Sequence, residues 1–120
     1  MTSEKFNECI NRRIEACLSL LGVKSKEYAT DDRLHNFKKA ANLQRCNPET
    51  ALAGMMCKHT VSVYDLIKDA ENGIAIPFDL WDEKINDSIN YLLLLSALIE
   101  ERKSIEQQCT TTILDKNNEK

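Results

Sequence analysis

Apolar residues recur at helical spacing in four stretches of the chain. Phe6, Ile10, Ile14, Cys17 and Leu21 fall on one stripe and predict a first helix from about Glu4 to Leu21, with Gly22 as its stop. The short polar run Lys24-Ser-Lys-Glu-Tyr-Ala-Thr-Asp-Asp32 carries no core pattern. Its last residues, Thr30, Asp31 and Asp32, can cap a second helix from about Arg33 to Leu43 that buries Leu34, Phe37 and Ala41. Asn47-Pro48-Glu49 is a stronger start signal, because Asn suits the N-cap, Pro loses no hydrogen bond at N1, and Glu meets the positive end of the helix dipole. A third helix then runs to about Ala70 with Leu52, Met56, Val63 and Ile67 on one face, and Asn72-Gly73 closes it. Ile74–Phe78 is an apolar connector, and Asp79 can cap a fourth helix from about Leu80 to Lys103.

The fourth helix changes character along its length. Ile85, Ile89, Leu92 and Ser96 form one stripe, with Glu83, Asp87, Asn90 and Leu94 roughly opposite, but from Tyr91 to Ile99 the sequence is apolar on nearly every side. A helix that becomes apolar all round is enclosed by partners, within a bundle or across a subunit interface. The expectation is an all-α, four- to five-helix bundle-like domain over residues 1–106. It would assemble as a homodimer or higher oligomer, with a polar, mobile tail over 107–120.

Composition narrows the function. Sixteen basic against nineteen acidic residues leave a net charge of −3, which argues against a general nucleic-acid binder while leaving room for a nucleotide held at one positive site. The Tyr91–Ile99 run is about half of what a membrane span requires, and the N-terminal residues carry no apolar signal core, so a cytoplasmic protein without a membrane partner is expected. Five cysteines at wide spacing, with no CxxC, fit free thiols better than a disulfide scaffold or zinc site.

Candidate chemistry lies in three places. Glu83 and Asp87, four residues apart on the fourth helix with Asn90 a turn further, share a face, and two carboxylates can share a hard cation such as Mg2+. A solvated helix face explains the same spacing. On the third helix Lys58, Ser62, Asp65 and Asp69 line the polar side; Lys58 can pair with a phosphate or with Asp87, or serve as surface charge. His59 falls on the apolar face near Met55, Met56 and Val63, the commoner setting of a packed histidine. The segment from Lys24 to Phe37 concentrates Lys26, Glu27, Tyr28, Asp31, Asp32, Arg33, His35 and Asn36, and a loop of this kind entering a helix can hold an anion. Tyr28 can stack on a base or cover a helix junction. GxxxxGK[ST], HxxxH and GxSxG are all missing from the sequence.

The string KEYATDDRLHNFKKAANL, the PETALAGMMCKH helix and DEKINDSINYLLLLSALIEE together resemble small phage and prophage proteins related to the MazG-like all-α nucleotide pyrophosphohydrolases, over about residues 10–103. The resemblance implies a dimeric or tetrameric helical protein that uses magnesium to split a nucleoside triphosphate into monophosphate and pyrophosphate. Active members place ExxE on one helix and ExxD on the next. Here Asp87 matches the final aspartate, Glu83 stands four residues before it with Lys84 at the expected glutamate position, and the third helix carries no ExxE. The phage-type features match Lys26 and Tyr28, Asn36-Phe37, Lys58, and Asp87 with Tyr91.

Three functions follow. In the first, Glu83 and Asp87 hold the metal with Glu27 or Asp31 completing the shell, Lys58 binds phosphate, and Lys26, Tyr28, Asn36 and Asn90 contact the free nucleotide. The second is a nucleotide-binding module without hydrolysis. The third is a phage-encoded helical dimer that binds a host protein.

Overall fold

The computed structural model describes residues 1–27 and 32–118, with the backbone alone for residues 23–27. It is all-α and built from four helices: α1 (Ser3–Glu27), α2 (His35–Gln44), α3 (Pro48–Glu71) and α4 (Phe78–Asn118). The start of α3 falls on Pro48, behind the extended Asn47. Asp32 helps to open α2 by accepting the Leu34 N–H on Oδ1 at 3.0 Å. At the end of α3, Gly73 takes a positive φ of 82° while the Ile74 N–H reaches back to the Asp69 carbonyl at 3.0 Å. That closure needs a left-handed residue, and glycine supplies it without steric cost.

Two boundaries differ from the sequence expectation by more than two residues, and α4 opens at Phe78, so that Asp79 lies in its first turn and not at its cap. Gly22 does not stop α1, which continues to Glu27. A glycine lowers helix propensity, but it ends a helix only where the backbone turns left-handed, and Gly22 is helical. The fourth helix runs 41 residues, far past Lys103, through the polar segment to Asn118. Thr110, Thr111 and Thr112 return their hydroxyl hydrogens to the carbonyls of Glu106, Gln107 and Gln108 at 3.0 Å, so these polar side chains are accommodated within the helix.

The core joins three helices. Leu34 and Phe37 of α2, Leu52 of α3 and Leu98 of α4 are buried together, with Met55, Met56, Tyr91, Leu94 and Leu95 packed around them. Leu34, Phe37 and Ala41 are buried as their spacing predicts. Toward the end of α3 the buried position is Leu66, while the expected Ile67 remains exposed. No described side chain of α1 joins this cluster. The helix lies along α4, and among its described side chains Cys17 is the buried hydrophobic one; Phe6, Ile10, Ile14 and Leu18 are exposed. Of the stripe expected to face the core, Cys17 is buried and Leu21 half-buried, while Phe6, Ile10 and Ile14 stay outside. Among the described residues no helix is long and apolar enough to cross a membrane.

Candidate functional site

Antiparallel packing of α3 on α4 sets His59 against Asp87, with Nδ1 3.5 Å from Oδ2 and both side chains 17% exposed. One turn further along α4, the Tyr91 ring lies 4.8 Å from the His59 ring and tilted by 31°. Its other neighbour is Phe37 of α2, edge-on with centroids 6.4 Å apart. Burial, and then the charge of Asp87, push the Tyr91 phenol above its ordinary value. Three helices thus fix one aromatic ring beside a half-buried carboxylate.

Next to this group α4 carries polar residues in places where a bundle helix usually carries Leu or Ile. Asn86 and Asn90, one turn apart, are 7% and 5% exposed. Asn86 is satisfied: its Oδ1 accepts from Arg13 Nη1 at 2.9 Å and from the Cys17 thiol at 3.6 Å. Asn90 is not. Both Oδ1 and Nδ2 of Asn90 are buried with no hydrogen-bond partner, and so is the hydroxyl of Ser88. Leaving such a group unpaired costs about 1–3 kcal/mol, so a helix that keeps one in its interior calls for a specific reason.

The remaining candidates are more dispersed. Glu83 is exposed, and its nearest cation is its own neighbour Lys84 at 4.0 Å. Lys58 lies on the exposed side of α3, a third of a turn from His59, and Asn36 is exposed on the first turn of α2. Asp87 meets His59 across the helix pair. The Tyr28 and Asp31 positions, and the side chains of Lys26 and Glu27, lie outside the described residues. Among the described residues no three His, Cys, Asp or Glu side chains converge to hold a metal ion.

A groove of about 570 Å³ runs between α2, the start of α3 and the far half of α4. Its charged rim is internally engaged: Lys38 bridges Asp32 and Glu101, and Arg102 pairs with Glu49 at 2.7 Å. The buried side-chain atoms without partners are those of Ser88 and Asn90, away from this groove.

The spacing of α4 identifies Asp87 and Asn90 as candidates, but it says nothing of His59 as the partner of Asp87, because contacts across helices leave no trace in one helix's periodicity. The one available signal is the i, i+4 pair of asparagines, Asn86 and Asn90, just ahead of the apolar run. Comparisons of the chain with protein-family models, with curated proteins and with solved structures give no match.

Proposed function

We propose that this chain binds a free nucleotide at the Asp87–Asn90–Tyr91 segment of α4. The observation that carries the reading is Asn90, whose amide has a donor and an acceptor buried without partners. That pairing of donor and acceptor is what the edge of a base or a ribose hydroxyl requires. Tyr91, the next residue of α4, and the His59 ring packed against it would supply flat surfaces, and Lys58, exposed on α3 next to His59, is the cation assigned to a phosphate in this reading. The resemblance to the MazG-like pyrophosphohydrolases supports the same substrate class, and with it a cytoplasmic location.

A second reading, metal-dependent hydrolysis of a nucleoside triphosphate to monophosphate and pyrophosphate, is favoured by Glu83 standing one turn before Asp87 on the same face. Among the described residues His59 meets Asp87, but no three acid, His or Cys side chains form a group that could hold a metal ion, so Glu83 and Asp87 do not by themselves fit a complete magnesium site. Mg2+ enters this reading only with ligands from elsewhere, for which the expected residues are Glu27 and Asp31. Binding stands independently of it.

The test is a thermal-shift series with nucleoside mono-, di- and triphosphates, with and without Mg2+, on the wild type and an Asn90→Leu variant. A ligand that binds only the folded state raises Tm. The variant removes a buried unpaired amide at nearly constant volume, so the ligand-free protein should gain about 1–3 kcal/mol while losing the nucleotide-induced shift. No shift with any nucleotide in the wild type overturns the binding reading. Pyrophosphate release that requires Mg2+ and is lost in Asp87→Asn supports the second.

A further inference from the structure

We infer that Arg13 of α1, in place of the exposed Lys58, is the residue that holds the phosphate of the bound nucleotide. The site would then lie along the seam of α1 and α4 and prefer a 5′-phosphorylated nucleoside to the free nucleoside. The inference rests on the nucleotide reading and goes on to fix how the ligand lies.

The first observation is the row formed by Glu83, Asn86, Asp87 and Asn90. These stand at i, i+3, i+4 and i+7, the spacing that a bundle helix gives to its buried apolar face, and all four are polar. Asn86 meets Arg13 and Cys17 of α1, and Asp87 meets His59 of α3. Among the described residues α1 and α3 each pack on α4 without meeting one another, so the row is the floor between two walls. Exposure falls along it. The Glu83 side chain is 61% exposed and that of Asp87 17%, while Asn90 is 5% exposed with both amide atoms unpaired.

That gradient orients a ligand. A phosphate driven into the buried end would pay a large desolvation cost, whereas a base edge or a ribose hydroxyl meets the Asn90 amide through neutral hydrogen bonds. The neutral end therefore belongs at Asn90 and the phosphate toward solvent. There Arg13 is the cation that reaches the floor, with Nη1 donating to Asn86 Oδ1 at 2.9 Å. Asn86 is one helical turn from Asn90, about 5.4 Å along the axis, a span that the sugar of a nucleotide bridges between base and phosphate.

Asp82 shows how the guanidinium is held in the ligand-free protein. Its half-exposed carboxylate meets Nη2 at 2.6 Å, on the side of the fork that a phosphate would take, while Nη1 stays on Asn86 and fixes the group in place. An exposed ion pair of this kind contributes little, and a phosphate brings more charge and more acceptor oxygens to the same fork. Asp82 is thus a competitor of the ligand, and its removal should strengthen phosphate binding.

Calorimetric titrations without Mg2+, using the four ribonucleosides and their 5′-monophosphates, test the assignment. In the wild type a monophosphate should bind about tenfold or more tightly than its nucleoside. Arg13→Met should bring that ratio down to about one without changing the nucleoside affinity, and Arg13→Lys, which keeps the charge and loses the fork, should retain part of it. Asp82→Asn should raise monophosphate affinity severalfold, whereas Glu106→Gln, the same change of charge far along α4, should leave it unchanged. Circular dichroism establishes whether Arg13→Met keeps its helices, and Asp82→Asn, at an exposed position, decides the matter if it does not. A preference for monophosphate that survives in a folded Arg13→Met variant, or no gain in Asp82→Asn, overturns the assignment and leaves the nucleotide reading standing. Binding of none of these ligands also overturns it, and the thermal-shift series with di- and triphosphates then decides the nucleotide reading separately.

Discussion

Arg13 of α1 reaches into α4 and donates from Nη1 to the amide oxygen of buried Asn86 at 2.9 Å, while its Nη2 meets Asp82 at 2.6 Å. The two acceptors are not equivalent. Asp82 is half exposed, and a surface ion pair of that kind contributes little. Asn86 is buried, and without Arg13 its oxygen keeps only the Cys17 thiol, a weak donor. Arg13→Met should therefore destabilise the fold by about 1–3 kcal/mol, and Asp82→Asn by less than about 1 kcal/mol. Urea denaturation of the two variants at one protein concentration measures the difference.

Arg45 ends α2 in the left-handed region, at φ 55°, with the Cys46 N–H closing back on the Ala41 carbonyl at 3.0 Å. A side chain at this position carries a steric cost of about 1–2 kcal/mol that glycine escapes, offset in part by the greater freedom of glycine in the unfolded chain. Arg45→Gly should raise stability by about 0.5–1 kcal/mol, read as a higher urea midpoint with an unchanged slope. A lower midpoint would show that the Arg45 side chain contributes more than its backbone costs.

Tyr91 should ionise late. Burial and the neighbouring Asp87 hold its phenol above the ordinary 10.0. A raised value in the folded state favours the protonated form, so this contribution is complete below the ordinary value and fades as pH rises through the folded one. An alkaline titration followed by tyrosinate absorbance should show a late component. Tyr91→Phe should remove it, and Asp87→Asn should shift it to lower pH.

At acid pH the sensitive group is Asp32. The ammonium of Lys38, which donates to Oδ2 at 2.7 Å, and the Leu34 N–H hold its carboxyl below the ordinary 3.8. Its stabilisation is complete above that value and disappears as pH falls through the folded one. Lys38, held above its ordinary 10.5 by Asp32 and Glu101, contributes until the pH rises past that range. The stability gap between wild type and Asp32→Asn should thus stay constant at neutral pH and close in strong acid. A gap that persists there would show that the charge of Asp32 is not its source, since Asn retains the oxygen that accepts the Leu34 N–H.

The four helices and the buried face of α2 are legible in the sequence because 3.6-residue periodicity, Asn47-Pro48 and Asn72-Gly73 are local signals with local causes. The destination of the α1 stripe is not legible. Phe6, Ile10 and Ile14 announce an apolar face, but spacing cannot say whether that face meets the chain's own core. The same holds for the site. Asp87 and Asn90 stand out on α4, whereas the His59 contact and the unpaired amide exist only once three helices are assembled. Of the other candidates, Glu83, Lys58 and Asn36 are exposed, and the Lys24–Asp31 positions hold no described side chain.

That no described side chain of α1 enters the central hydrophobic cluster has a consequence for the order in which the molecule comes apart. A helix whose described contacts are one buried thiol, a few half-buried neighbours and the hydrogen bonds of Arg13 and Arg33 can detach while α2, α3 and α4 keep their shared core. Such partial opening costs less than global unfolding and leaves the remaining helices intact.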